Sequence, residues 1–209
     1  MIRLVTAENE HHYRDEMDQA LRLRQRVLVQ KRRWRAFAKP AARGIDQVDH
    51  KHAVHMLYMN GGKVLGYQRM VPTTRQHLLC EVSPELCRVE PPVGAHIWEV
   101  SRQCVEPDHQ SPGEVECEIA NALWSGLVEW GLQRGISNFI VEIEPMSLMS
   151  AIGLNFQPLP LGLPCQIDGQ ELMAVMLGFD QRTLDRIYEM RAERRRVLAE
   201  PRRAKRLHA

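Results

Sequence analysis

Apolar and polar positions alternate in short runs, and between those runs apolar residues recur at helical spacing, which predicts interleaved strands and helices. Ile2 to Val5 reads as a short strand, and from Glu8 to Arg33 the residues Tyr13, Met17, Leu21 and Leu28 share one helix face. Arg24 lies on the same stripe, so its guanidinium should point at the core. Periodicity then lapses from Arg35 to His50, where Pro40 and Gly44 mark a loop, and long loops in compact domains tend to be functional. Ala53 to Met59 and Val64 to Val71 read as a hairpin around Asn60-Gly61-Gly62, with Leu65, Tyr67, Arg69 and Val71 on one face.

A partly helical connection from Leu78 to Cys87 leads to a strand from His96 to Val105. That strand reads as buried yet carries Glu99 and Arg102, and ionised side chains are seldom buried without partners. Ser111-Pro112-Gly113-Glu114 has capping-box spacing and opens a helix that Gly135 can end. Asn138 to Glu144 is a strand, Met146 to Leu154 a short helix, Glu171 to Phe179 a strand, and Asp180 onward a basic helix. With period two, Glu142 and Glu144 share one face and Val141 and Ile143 the other, and the pattern does not say which meets a cleft.

Composition narrows the class. At 209 residues, 44% of them hydrophobic, the chain can build one good core, and residues 1–180 are expected to form one domain followed by a basic helix and tail over 181–209. The net charge of +2 is too small to announce a nucleic-acid binder, although basic residues gather in Arg22 to Arg43 and Arg182 to Arg206. Five cysteines, Cys80, Cys87, Cys104, Cys117 and Cys165, without close pairing suggest neither a disulfide framework nor a zinc site, and a reducing cytoplasm fits. Residues 1–20 carry no signal-peptide pattern, and no stretch approaches membrane-spanning length.

Inward charges at Arg24, Arg69, Glu99 and Arg102, with Asp46 and Asp49 just before a strand, suggest a cleft for a small charged molecule. Singly, each has a bland reading: Glu99 and Arg102 as a structural ion pair, Trp34 as core, Asp46 and Asp49 as loop caps. Their conjunction shifts the balance. The set Arg24, Trp34, Asp46, Asp49, Arg69, Glu99 and Arg102, with Pro72-Thr73-Thr74 and Trp98-Glu99-Val100-Ser101-Arg102, resembles the acyl-homoserine-lactone synthases, the LuxI-type autoinducer synthases, over roughly residues 3–180. Leu28 departs from the Phe usual in that family, and Pro160-Leu161-Gly162-Leu163-Pro164 resembles its acyl- or aryl-coenzyme A-using branch.

The resemblance implies an α/β fold like the N-acetyltransferases, a mixed twisted sheet with helices on both faces and a V-shaped cleft between the fourth and fifth strands. It implies S-adenosylmethionine as a substrate, held by Arg24, Leu28, Trp34, Asp46, Asp49, Arg69, Ser101 and Arg102, and an acyl pocket lined by Val100, Gln103, Ile143, Met146 and Met149. The acyl donor would be acyl-coenzyme A or an acyl carrier protein thioester, with no cofactor, metal, nucleic acid or membrane insertion. Glu99 is the natural base for the amine. An ordinary carboxyl, with a pKa of about 4.3, is a weak base for this, so it would act through water or from a desolvated site that raises its pKa. Two other readings compete: an N-acyltransferase that forms no lactone, and a nucleic-acid binder using Lys31 to Arg35 and the tail from Arg194 to Arg206.

Overall fold

The computed structural model describes residues 1–31, 46–109, 117–191 and 195–199. Strands β1 (Ile2–Val5), β2 (Val54–Asn60), β3 (Lys63–Pro72) and β4 (Ile97–Val105) form an antiparallel meander. Parallel pairing then joins β4 to β5 (Asn138–Ile143), and β5 continues antiparallel to β8 (Gln170–Gly178). Two strands absent from the sequence reading, β6 (Gln157–Pro160) and β7 (Cys165–Ile167), pair with β8. Pro158 and Pro160 disguise β6 as a loop, and proline is tolerated there because β6 is the sheet's edge.

Helices cover both faces, as expected. On one face lies α1 (Arg14–Arg24), which continues as π-helical turns over Gln25–Lys31 instead of as a plain α-helix to Arg33. Its residues Met17, Ala20 and Leu23 pack with Val27 and Leu28 on Leu57, Val64 and Tyr67. Opposite lies α3 (Glu118–Arg134), with Leu123, Leu127 and Trp130 in the largest core cluster and α5 (Gln181–Met190) against it. That helix begins with Cys117 as its N-cap; the capping box expected at Ser111 to Glu114 lies outside the described residues. Gly135 ends it at φ 67°, in the left-handed conformation glycine accepts without strain. Short helices α2 (Leu78–Glu81) and α4 (Ser147–Gly153) complete the chain. Among the described residues, no helix is long and apolar enough to cross a membrane.

Two irregularities shape the site. A register shift beside Gly66 sends Leu65 to the α3 face, so it does not share a face with Tyr67 and Arg69 as strict alternation predicts. On β4, Arg102 and Gln103 together oppose the single residue Gln68, a bulge in which Arg102 takes φ 60°. Pairing between β4 and β5 stops at Glu99 and Ile140, while β4 pairs with β3 as far as Val105. The two strands therefore diverge beyond Glu99, which opens the expected V.

Candidate active site

The bulge decides which side chains meet at the foot of the V. Alternation would turn Arg102 away from Ser101, but the extra residue puts both on the α1 face. There Arg24, Arg69 and Arg102 converge on Asp46 and Asp49. Arg24 grips Asp49 with two prongs, Nη1 to Oδ1 at 2.9 Å and Nη2 to Oδ2 at 2.6 Å. Arg69, fully buried at 0% exposure, donates from Nη1 to Asp46 at 2.6 Å and to Asp49 at 2.7 Å. Its Nη2 reaches Ser101 Oγ at 3.2 Å. Arg102 donates from Nε and Nη2 to Asp46 Oδ2 at 2.8 and 2.5 Å. The aspartates also cap their own loop, as the bland reading foresaw, with Val48 N–H on Asp46 and Asp46 N–H on Asp49.

Three guanidiniums on two carboxylates leave one positive charge in excess within this cluster. Burial works against every one of these charges, but the arginines hold the Asp46 and Asp49 carboxyls below the usual range, and Tyr67 with the aspartates raises Arg24. Arg102 is shifted the opposite way to Arg24. Burial and the neighbouring Arg69 and Arg24 bring its pKa down to about 10 despite Asp46. Behind Arg24, the Tyr67 hydroxyl accepts from Nη1 at 3.3 Å and sits 2.9 Å from His55 Nδ1. Burial lowers that imidazole to about 4, so it is neutral.

Glu99 is held differently. It is 1% exposed, and its two oxygens take the backbone N–H groups of Leu78 and Leu79 at 3.0 and 2.8 Å and His77 Nδ1 at 2.9 Å. It thereby fastens the start of α2 to the sheet. On the outer side, His77 Nε2 lies 3.3 Å from Cys80 Sγ. Burial and the nearby Glu99 push that thiol's pKa up, so it serves as a donor to the imidazole. An open depression of about 590 Å³ adjoins it, lined by His50, Lys51, Thr73, Arg75, His77 and Cys80 among others. Thr73 itself ties the end of β3 to the start of β4 through Ile97 O at 2.9 Å.

The remaining expected residues are dispersed. Leu28 is buried in the α1 core, Val100 is buried on the α3 face, and Ile143 packs on that same face. Gln103 Nε2 is buried with no partner among the described residues. Met146 and Met149 stand 82% and 70% exposed at α4. Trp34 lies outside the described residues, as do Arg32, Arg33 and Arg35. The segment Pro160 to Pro164 leaves β6 and rests on the turn before β4, where Arg88 N–H donates to Leu161 O at 2.8 Å.

The family model for autoinducer synthases matches residues 8–187 of this chain. The chain belongs to the autoinducer synthase family. The isovaleryl-homoserine lactone synthase of Bradyrhizobium diazoefficiens is 31% identical over 190 residues, covering 90% of this chain and 84% of that protein. Among solved structures, the coenzyme A-dependent acyl-homoserine lactone synthase BjaI with S-adenosylmethionine and isopentyl-coenzyme A superposes with a TM-score of 0.86. It shares 29% identity and covers 97% of this chain and 94% of that one. An N-acetyltransferase from Lactobacillus plantarum, at 16% identity and a TM-score of 0.53 over 85% of this chain and 99% of that one, shares the fold. The expected N-acetyltransferase-like architecture is therefore correct, and the chain is an acyltransferase of the acyl-homoserine-lactone synthase type.

Sequence reasoning missed two participants. His77 and the amides of α2 gave no signal, because a four-residue helix has no readable period. Glu142 stands out in the sequence as an acid within a strand, but period two does not assign its face. It lies on β5 two residues beyond Ile140, hence on the Glu99 face, with Oε1 buried and without a partner among the described residues. Glu144 falls beyond the end of β5 and is exposed, so the two acids do not form the shared strand face that period two suggested.

Proposed function

We propose that this chain transfers an acyl group from a coenzyme A thioester to the amine of S-adenosylmethionine, and that the substrate carboxylate then displaces methylthioadenosine to close the lactone. The observation carrying this reading is the charge excess in the Arg24, Arg69, Arg102, Asp46 and Asp49 cluster, which suits an amino-acid end bearing both signs. Arg102, beside Asp46 on the α1 face, is assigned to the carboxylate and Asp46 to the ammonium, because Asp46 at 20% side-chain exposure is the more accessible acid. Arg24, Arg69, Asp49 and Ser101 hold that pair in place. Leu28 and Trp34 are assigned to the adenosyl group, with Trp34 covering the sulfonium by a cation–π contact worth about 0.5–2 kcal/mol.

Val100, Gln103, Ile143, Met146 and Met149 are assigned to the acyl chain, the methionines supplying an adaptable wall. Glu99 supports the acylation step. Ring closure needs little acid or base help, because a sulfonium is already a good leaving group and a fixed conformer supplies the rate. Coenzyme A is favoured over a carrier protein as donor by the likeness to BjaI and by the Pro160 to Pro164 segment. The reaction needs no cofactor, metal, nucleic acid or membrane insertion. We place it in the cytoplasm, where all five cysteines would stay the free thiols they are in the structure.

The test is to mix the purified chain with S-adenosylmethionine and a panel of acyl-coenzyme A and acyl carrier protein thioesters. Lactone by mass spectrometry, with methylthioadenosine and coenzyme A thiol in equal amounts, is expected. Acyl transfer without methylthioadenosine release would favour plain N-acylation instead, and turnover with carrier-protein donors alone would reverse the donor assignment.

A further inference from the structure

Acylating an amine releases a proton, and besides the ion-paired Asp46 and Asp49 the structure offers two carboxyl groups beside the V to receive it. They differ in what they still have to give. Glu99 is sealed at 1% exposure, with three hydrogen-bond donors already on its oxygens. Glu142 sits past the last β4–β5 pair, on the diverging arm and on the Glu99 face, with Oε1 buried and unpartnered among the described residues. Leaving a buried carboxyl oxygen unpaired is costly, and a folded chain tolerates that most readily at a functional site.

We propose that Glu142, and not Glu99, takes the proton lost by the S-adenosylmethionine amine on acylation, while Glu99 is a positioning residue that pins α2 beside the cleft. This rests on the reading above that the chain N-acylates S-adenosylmethionine. The neutral amine nitrogen attacks the thioester carbonyl, the N–C bond forms, and the nitrogen gives one proton to Glu142. The C–S bond then breaks, and Glu142 passes the proton to the departing coenzyme A sulfur, leaving an amide, a thiol and the starting carboxylate.

The surroundings of Glu142 fit that traffic. Burial is the largest influence and the carboxylates of Glu99 and Glu85 add to it, while Arg102 and the nearby Ser83 hydroxyl oppose it; together they bring the group up to about 7. A base so placed is far stronger than an ordinary carboxyl, close to an α-amine at about 8 and below a thiol at about 8.5, so both proton transfers are near balance.

The experiment follows coenzyme A release by the full chain across pH 5.5–9, for wild type, Glu142→Gln and Ser83→Ala. The expected result is a fall of about 10²–10³-fold at pH 7 in Glu142→Gln, typical of a lost general base, with the remaining rate rising toward pH 9 as free amine accumulates. Affinity for S-adenosylmethionine should change less than twofold, and lactonisation of prepared N-acyl-S-adenosylmethionine should continue at the wild-type rate. Ser83→Ala removes a hydroxyl that favours the ionised form, so its acid limb should move to higher pH. A folded Glu142→Gln protein within threefold of wild type at pH 7 would overturn the proposal. If that variant does not fold, an unmoved acid limb in Ser83→Ala overturns it. Wild type that fails to acylate S-adenosylmethionine from any thioester would instead sink the underlying functional reading.

Discussion

The foot of the V and its open arm are built on opposite plans. At the foot, every oxygen of Asp46 and Asp49 accepts from a guanidinium or an amide, and the arginines are fixed from several sides. Along the arms, Glu142 Oε1 and Gln103 Nε2 are buried without partners among the described residues, and the methionines of α4 face solvent. The foot is organised before any substrate arrives, which suits the part of a substrate that must be held in one conformer. The arms leave groups to be satisfied by what enters, which suits chemistry and a variable chain.

The strongest way to break the comparison is to unbalance the foot. Asp49→Ala leaves three buried guanidiniums around one carboxylate, and breaking a buried ionic network typically costs about 3–5 kcal/mol. Urea unfolding should register a loss of that size, together with loss of S-adenosylmethionine binding. A change below about 1 kcal/mol would mean that water already screens the cluster, and the contrast with the arms would disappear.

Glu99→Gln tests the boundary between the two regions. The amide keeps one acceptor for Leu78 or Leu79 but loses the charge, so a cost of about 1–3 kcal/mol is expected. Hydrogen exchange at those two amides should quicken and turnover should fall, while S-adenosylmethionine binding stays largely intact. Unchanged exchange would separate Glu99 from α2 and return it to the role of base.

A smaller effect comes from His55, behind the cluster. Its folded pKa is about 4 against 6.5 when unfolded, so between those values the unfolded chain holds a proton that the folded chain refuses. Stability contributed by this group is therefore complete above about pH 6.5 and falls as the solution is acidified toward 4. His55→Gln should flatten that window in denaturation curves measured across it. The Asp49 contribution should outlast it, because a depressed carboxyl loses its stabilisation only as pH falls through the folded pKa, which lies below the ordinary value.

How far the sequence could be read follows the same division. Strong alternation and helical stripes located β1 to β5, α1 and β8, and the inward arginines stood out because each interrupted an apolar face. What could not be read depended on register and on very short elements. The bulge at Arg102 reverses one side chain without changing any periodicity, and β6 hides behind Pro158 and Pro160. Glu142 needed the divergence of β4 and β5, a tertiary fact, before its face could be assigned. Glu99 stands out in the sequence as a buried charge, but its partners lie 20–22 positions away, at the cap and first residues of a helix of one turn.

The gentlest perturbation is Met149→Ala on α4. At 70% exposure the side chain contributes little to the core, so stability should stay within about 0.5 kcal/mol of wild type. Its assignment to the acyl wall requires that an entering chain cover it, and truncating a methionine removes several methylene-sized contacts worth about 0.8 kcal/mol each when buried. The specificity constant for a long acyl-coenzyme A should then fall by about tenfold, with a short acyl group almost unaffected because it does not reach α4. Equal changes for long and short donors would mean that Met149 remains in water during catalysis. In that case the acyl wall would have to be sought deeper between the diverging strands, around Val100 and Ile143, where the α3 core already closes on both.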